Sequence, residues 1–255
     1  MVFWFFIRGK SHYIPSLRLN APKRSHVLPV VLGFLILASG STLLDLVFGG
    51  EKYINFSLYN VFYANNKIGF FNVLYTVIAF AIIPSILEEV IFRGALCAEF
   101  EDNGTFCSVI SSAFFFSLLS FDFAGIPTGI FTGIILAIIL YATDSLICSI
   151  ILRICYSLFA IFAKPILVSF KDVSANLDLL VFILILMLLV SAIFFVSRLS
   201  RLYQGYSEKN LSSEHTSRVP PSRLPQSVAE ILLSRPAICC YSAFIIITVL
   251  QNYVL

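Results

Sequence analysis

Two consecutive carboxylates and two arginines stand inside apolar sequence: Glu88, Glu89 and Arg93 in SILEEVIFRG, and Arg153 in SIILRICYSLF. An ionised side chain at the centre of a membrane helix costs about 2.5–3.5 kcal/mol on insertion scales, so each needs a partner or a cavity. Glutamates in such a place can take a proton from water, and arginines can donate hydrogen bonds to a developing oxyanion. The same residues also have a purely structural reading. Glu89 and Arg93 are four apart with the acid N-terminal, the favourable order for an ion pair along a helix. The two acids and two bases balance in charge, so a closed ion cluster fits the sequence as well as a reactive site does.

The elements that must position these side chains follow from composition. Hydrophobic residues make up 59% of 255 positions and charged residues 12%, where a soluble domain carries about a quarter charged residues. Mean hydropathy is +0.94. The solvent for this much apolar surface is lipid, where every backbone polar group needs an internal partner, leaving helices or closed barrels. Barrel strands alternate polar and apolar residues; here the apolar runs are continuous and near the twenty residues a crossing helix needs. The sequence therefore predicts an all-α fold: a polytopic membrane helical bundle with about seven (six to eight) transmembrane helices. The expected spans are Val27–Phe48, a run opening at Ile68 and passing Leu87, then Phe106–Phe121, Ile126–Tyr141, Ser145–Ala163, Leu177–Leu199 and Pro236–Leu255. Met1–Ile7 is too short to cross and reads as an interfacial or capping segment.

Charge placement gives an orientation. Arg8, Lys10, Arg18, Lys23 and Arg24 precede the first span, and Arg198, Arg201, Lys209, Arg218, Arg223 and Arg235 lie in or beside the loop before the last. The opposite loops hold only Lys52, Lys67, Lys164 and Lys171. This bias predicts an integral, multi-pass membrane protein with a cytoplasmic N-terminus, and a seven-span count then puts the C-terminus outside. The asymmetry accounts for the +3 formal charge without any nucleic-acid partner. The six cysteines fall in or beside spans and read as small hydrophobes, not as a disulfide framework or metal site. Tyr203–Glu230, rich in Ser and Pro, reads as a flexible polar loop. Asp144 reads as a solvated turn residue or N-cap of the helix that begins at Ser145, and Asp122 as a loop acid.

Glu88-Glu89-x-x-x-Arg93 resembles the first signature of the CAAX-protease and bacteriocin-processing family of intramembrane proteases. The stretch from AFFFSLLSFDFAGIPTG to ATDSLICSIILRICYSLF is similar to the rest of that family's core. Phe116 begins the position of an F-x-x-x-H signature, and a Thr-x-Ser turn at Thr143–Ser145 opens the helix bearing the position of an H-x-x-x-N. The resemblance covers roughly residues 70–163. It divides the chain into an N-terminal segment with the first transmembrane helix (1–67), a CAAX-protease-like core (68–170), and C-terminal helices joined by a polar loop at 200–235 (171–255).

The resemblance implies a pocket in which a glutamate and a histidine activate water while a second histidine and an asparagine stabilise the oxyanion or the site. It implies Glu88, Glu89 and Arg93 as the retained catalytic motif. The departures lie at the other positions: Ser120 and Arg153 stand where histidines are called for, and Ser157 where the motif has asparagine. An ordinary serine hydroxyl is no base at neutral pH, and an arginine cannot take up a proton. The three histidines, His12, His26 and His215, lie in polar segments outside the expected spans.

Helix geometry brings the motif positions to one depth. If the second helix runs to about Phe100 and turns at Glu101–Thr105, Glu88 and Ser120 lie on the order of 20 Å from the same face, and Arg153 about 14 Å from it. Arg153 is then placed to neutralise a glutamate that would otherwise act on water. The function expected is that of a catalytically impaired relative of these proteases that binds or escorts membrane partners. One alternative is an active endopeptidase for prenylated or bacteriocin-type substrates. The other is a transporter or channel component, disfavoured by the lack of a repeat or paired broken helices. No cofactor and no metal is expected; the partners expected are the lipid bilayer and membrane-associated proteins or peptides.

Overall fold

A computed structural model describes residues 18–48, 70–101, 104–164, 167, 177–208 and 224–254. These residues form helices and no strand. Helix α1 (Val27–Phe48) follows a 3-10 turn at Arg24–His26 and carries Pro29 in its first turn, where a missing N–H leaves no bond unmade. Helix α2 (70–100) is continuous but uneven, with π-helical stretches at Val77–Ile82 and Val90–Leu96 on either side of the α-helical Ile83–Glu89. Pro84 accounts for the first, since it has no N–H to donate and its ring crowds the carbonyl one turn back. The helix continues past Leu87 to Phe100, as the depth of Glu88 required.

Gly104, at φ 104°, turns the chain into α3 (Thr105–Ser120), whose last turn is 3-10. Phe121 in the left-handed region ends α3, and Pro127 starts α4 (Ile126–Thr143). Asp144, also left-handed, ends α4 before α5 (Leu146–Ala163). Helices α6 (Leu177–Glu208), α7 (Leu224–Leu232) and α8 (Arg235–Val254) complete the described chain.

Among the described residues five helices are long and apolar enough to cross a membrane: Arg24–Phe48, Val73–Phe100, Ile126–Thr143, Leu146–Ala163 and Asp178–Arg201. Two of the seven expected spans are shorter apolar helices, Thr105–Ser120 and Ala237–Leu250. The polar stretch read as a loop from Tyr203 to Glu230 is helical at both ends. Helix α6 runs through Glu208, and α7 sets Val228, Ile231 and Leu232 against Cys107 and Phe115 of α3. The expectations for Met1–Ile7 and for 209–223 lie outside the described residues.

Packing relies on small residues, as it must where lipid tails are as apolar as the side chains. A Cβ on Gly129 would stand 2.7 Å from Cα of Ser117, and one on Gly133 would stand 2.6 Å from Cα of Ala113. Helices α3 and α4 thus approach backbone to backbone. A core of Ile36, Leu37, Ile135, Leu136, Ile139, Leu152 and Phe195 joins α1, α4, α5 and α6. Outward, α6 exposes Phe182, Leu186, Ile193 and Phe194, a surface suited to lipid.

The alternation of helices separates two polar faces. Arg18 contacts Glu101 and Asp144 at one. At the other, Asp45 pairs with Lys164 and accepts a hydrogen bond from Thr128 Oγ1 at 2.6 Å. The intramembrane charges lie between them. All six cysteines are free thiols.

Candidate functional site

Residues Glu88 and Glu89 occupy the last turn of the short α-helical piece between the two π stretches. Consecutive helical residues point about 100° apart, and here they reach different partners. Glu89 is fully buried. Its Oε2 accepts a hydrogen bond from Ser149 Oγ at 2.5 Å, and its Oε1 lies 3.2 Å from Nη1 of Arg93. Arg93, also fully buried, donates from Nη2 to the carbonyl of Gly133 at 3.1 Å. That carbonyl is reachable because α4 is glycine on this side.

The Glu89–Arg93 pair is close but not aligned. Glu89 Oε1 and Arg93 Nε and Nη1 are buried without a hydrogen bond of good geometry. Such atoms keep most of their desolvation cost.

Glu88 faces α5. Arg153 donates from both Nε and Nη2 to the same oxygen, Oε2, at 2.8 and 2.6 Å. The two side chains remain 23% and 16% exposed, so this pair is partly open to the surroundings while the Glu89–Arg93 pair is sealed. Phe116, itself buried, lies against both guanidinium groups, with ring-centre distances of 4.4 Å to Arg93 and 5.1 Å to Arg153. A positive charge over an aromatic face is stabilised by the ring quadrupole, so one ring serves both arginines. Tyr156 adds a second face to Arg153 at 5.7 Å, and Phe92 packs edge-on to Phe116.

The remaining expected positions lie at the margins. Ser157 shares a hydrogen bond with Ser85 of α2, oxygen to oxygen at 3.0 Å, one helical turn from the charged pairs. Ser120 lies one turn beyond Phe116, where α3 ends. Its hydroxyl points to local carbonyls, Ser117 at 2.8 Å and Asp122 at 3.1 Å, and so completes the α3–α4 turn. The structure therefore brings Glu88, Glu89, Arg93, Phe116 and Arg153 into one contiguous cluster, places Ser157 beside it, and commits Ser120 to the turn.

Asp144 is a turn residue with its side chain 44% exposed, as expected, but it is not the N-cap of α5: it ends α4, and its carboxylate accepts from Asn20 Nδ2 at 3.1 Å and faces Arg18 Nε at 3.4 Å. His26, expected outside the spans, falls within the candidate span Arg24–Phe48 and is buried, with Nδ1 4.0 Å from Cys148 Sγ on α5. His12 and His215 lie outside the described residues.

Sequence reading missed Ser149, Gly133, Ser85 and Tyr156. Ser149 sits one helical turn before Arg153, a legible signal once α5 is known to face α2; Gly133 belongs to the Gly125-Gly129-Gly133 spacing of close helix packing.

Among the described residues no group of three or more His, Cys, Asp and Glu side chains is arranged to hold a metal ion. Neither a curated protein nor a solved structure matches the chain. Residues 70–159, which span α2 to α5 and every residue of the cluster, match the family model described as type II CAAX prenyl endopeptidase Rce1-like, the family of intramembrane proteases that the sequence resembles.

Proposed function

We propose that this membrane protein has the scaffold of a CAAX endopeptidase-like protease but is catalytically impaired, and that it acts by binding or escorting membrane-associated proteins or peptides. The observation that carries this reading is the double donation from Arg153 to Glu88 Oε2. A carboxylate so engaged is a poor acceptor for a proton from water, because proton uptake must first weaken two charge-assisted bonds. Glu89, the other candidate base, is buried beneath Arg93 and Ser149. The motif histidines that the family uses are replaced by Ser120 and Arg153. The partly exposed Glu88–Arg153 pair supports a polar opening within the bilayer at which a partner segment docks. The N-terminus is assigned to the cytoplasm by the Lys and Arg bias.

The test is peptide cleavage by purified protein in nanodiscs, comparing wild type, Glu88→Ala and the triple variant Ser120→His/Arg153→His/Ser157→Asn. An inactive wild type with activity in the triple variant supports an intact scaffold whose chemistry was lost at those positions. Cleavage by wild type that Glu88→Ala abolishes overturns the reading and establishes a histidine-free endopeptidase.

A further inference from the structure

Residues 18–26 cross the polar face formed by the end of α2 and the α4–α5 turn. Arg18 Nη2 donates to Glu101 Oε1 at 2.5 Å, just past the end of α2, while Nε faces Asp144 Oδ1 at 3.4 Å. The guanidinium also lies 4.9 Å from the ring centre of Tyr141. Asn20 Nδ2 donates to both the carbonyl and the carboxylate of Asp144, at 2.8 and 3.1 Å.

The start of α5 depends on this segment for its backbone bonds. Ser145 makes no side-chain cap. The Leu146 N–H donates instead to the Arg18 carbonyl at 2.9 Å, and Ser145 Oγ donates to the Asn20 carbonyl at 2.6 Å. The first N–H groups of a helix have no partner of their own, and in a membrane protein they need one. The segment therefore sets the depth and rotation at which α5 begins. One turn on is Ser149, which holds Glu89; two turns on is Arg153, which holds Glu88.

We propose that residues 18–26 act as a clasp and that Arg18 is a positioning residue for the intramembrane cluster: by joining Glu101 to Asp144 and capping α5, it holds α2 and α5 at the spacing where the Glu88–Arg153 and Glu89–Ser149 contacts form. This goes beyond the functional reading above, because it concerns the geometry of the cluster whether or not the cluster is catalytic.

The test uses the full chain in nanodiscs with the exposed thiols Cys155 and Cys239 and the half-buried Cys240 replaced by serine. Ser85→Cys/Ser157→Cys reports the α2–α5 spacing at the cluster, since the two hydroxyls are 3.0 Å apart and oxidative cross-linking requires close approach of the Cβ atoms. Alkylation of buried Cys148, which lies beside His26, reports whether the clasp has lifted. Arg18→Ala is expected to expose Cys148 and slow cross-linking roughly tenfold, the loss of one charge-assisted bond, with Arg18→Lys intermediate. Should Arg18→Ala aggregate, Glu101→Gln, which removes the charge from one arm only, is read in its place and is expected to change both readouts in the same direction. Exposure of Cys148 with unchanged cross-linking overturns the positioning role. Continued protection of Cys148 in both Arg18→Ala and Arg18→Glu overturns the clasp itself.

Discussion

Arg153 and Ser149 divide the two glutamates between them. Arg153 spends two donors on one oxygen of Glu88 while Ser149 and Arg93 hold Glu89. Removing one member of a desolvated pair strands the other, which costs more than the pair itself contributes. Arg153→Leu is therefore expected to lower unfolding free energy by about 2–4 kcal/mol, and Glu88→Gln in the same chain to recover part of it. Thermal unfolding of the four proteins in the cycle measures the coupling; independent, additive losses would count against a closed ion pair. Phe116 makes a separate prediction, because its ring faces both guanidinium groups. Phe116→Leu keeps most of the volume and loses the quadrupole, so it should cost about 1–2 kcal/mol. That cost should shrink in the Arg153→Leu background, and an undiminished cost there would assign it to packing alone.

At the scale of elements, the buried cluster depends on how closely α3 and α4 approach. Gly129 and Gly133 face Ser117 and Ala113 with no room for a Cβ, and this approach delivers the Gly133 carbonyl to Arg93. Gly133→Val is expected to destabilise by about 1–3 kcal/mol through overpacking and to loosen Arg93 as well. Melting of Gly133→Val compared with Gly33→Ala, a site where a Cβ meets only side-chain atoms at 3.3 Å or more, separates the two effects. Equal losses would refute a special role for the α3–α4 contact. Helix α2 shows why element type alone was not enough. An apolar run containing Pro84 reads as one span, and it is one. Yet the register of Glu88 and Glu89 is set by the π stretches around them, a local unwinding that single-sequence periodicity does not reveal.

Across the whole molecule, the polar ends of the bundle are latched on opposite faces, Arg18 with Glu101 and Asp144 at one and Asp45 with Lys164 at the other. With the cytoplasmic N-terminus proposed above, the first face lies on the cytoplasmic side. Single cysteines introduced at Ser25 and Ser213 should both be shielded from a membrane-impermeant thiol reagent applied to the outside of intact cells. Labelling of Ser25→Cys from outside would reverse the orientation, and labelling of Ser213→Cys alone would change the number of crossings between them.

The sequence by itself determined the solvent, the fold class and the identity of the charged residues. Apolar runs near membrane length permit few alternatives, and the cost of charge in hydrocarbon requires Glu88, Glu89, Arg93 and Arg153 to find partners. It did not determine which partner each would take. The Glu89–Arg93 spacing was readable along one helix, whereas Glu88–Arg153, Glu89–Ser149 and Phe116 between the two arginines bring together different helices. Those pairings depend on helix rotation and depth, which are set by contacts far apart in the chain: glycine faces between α3 and α4, and residues 18–26 across the start of α5. Ser120 shows the same limit. The direction of its hydroxyl was decided by the 3-10 turn that ends α3, which no sequence spacing reveals.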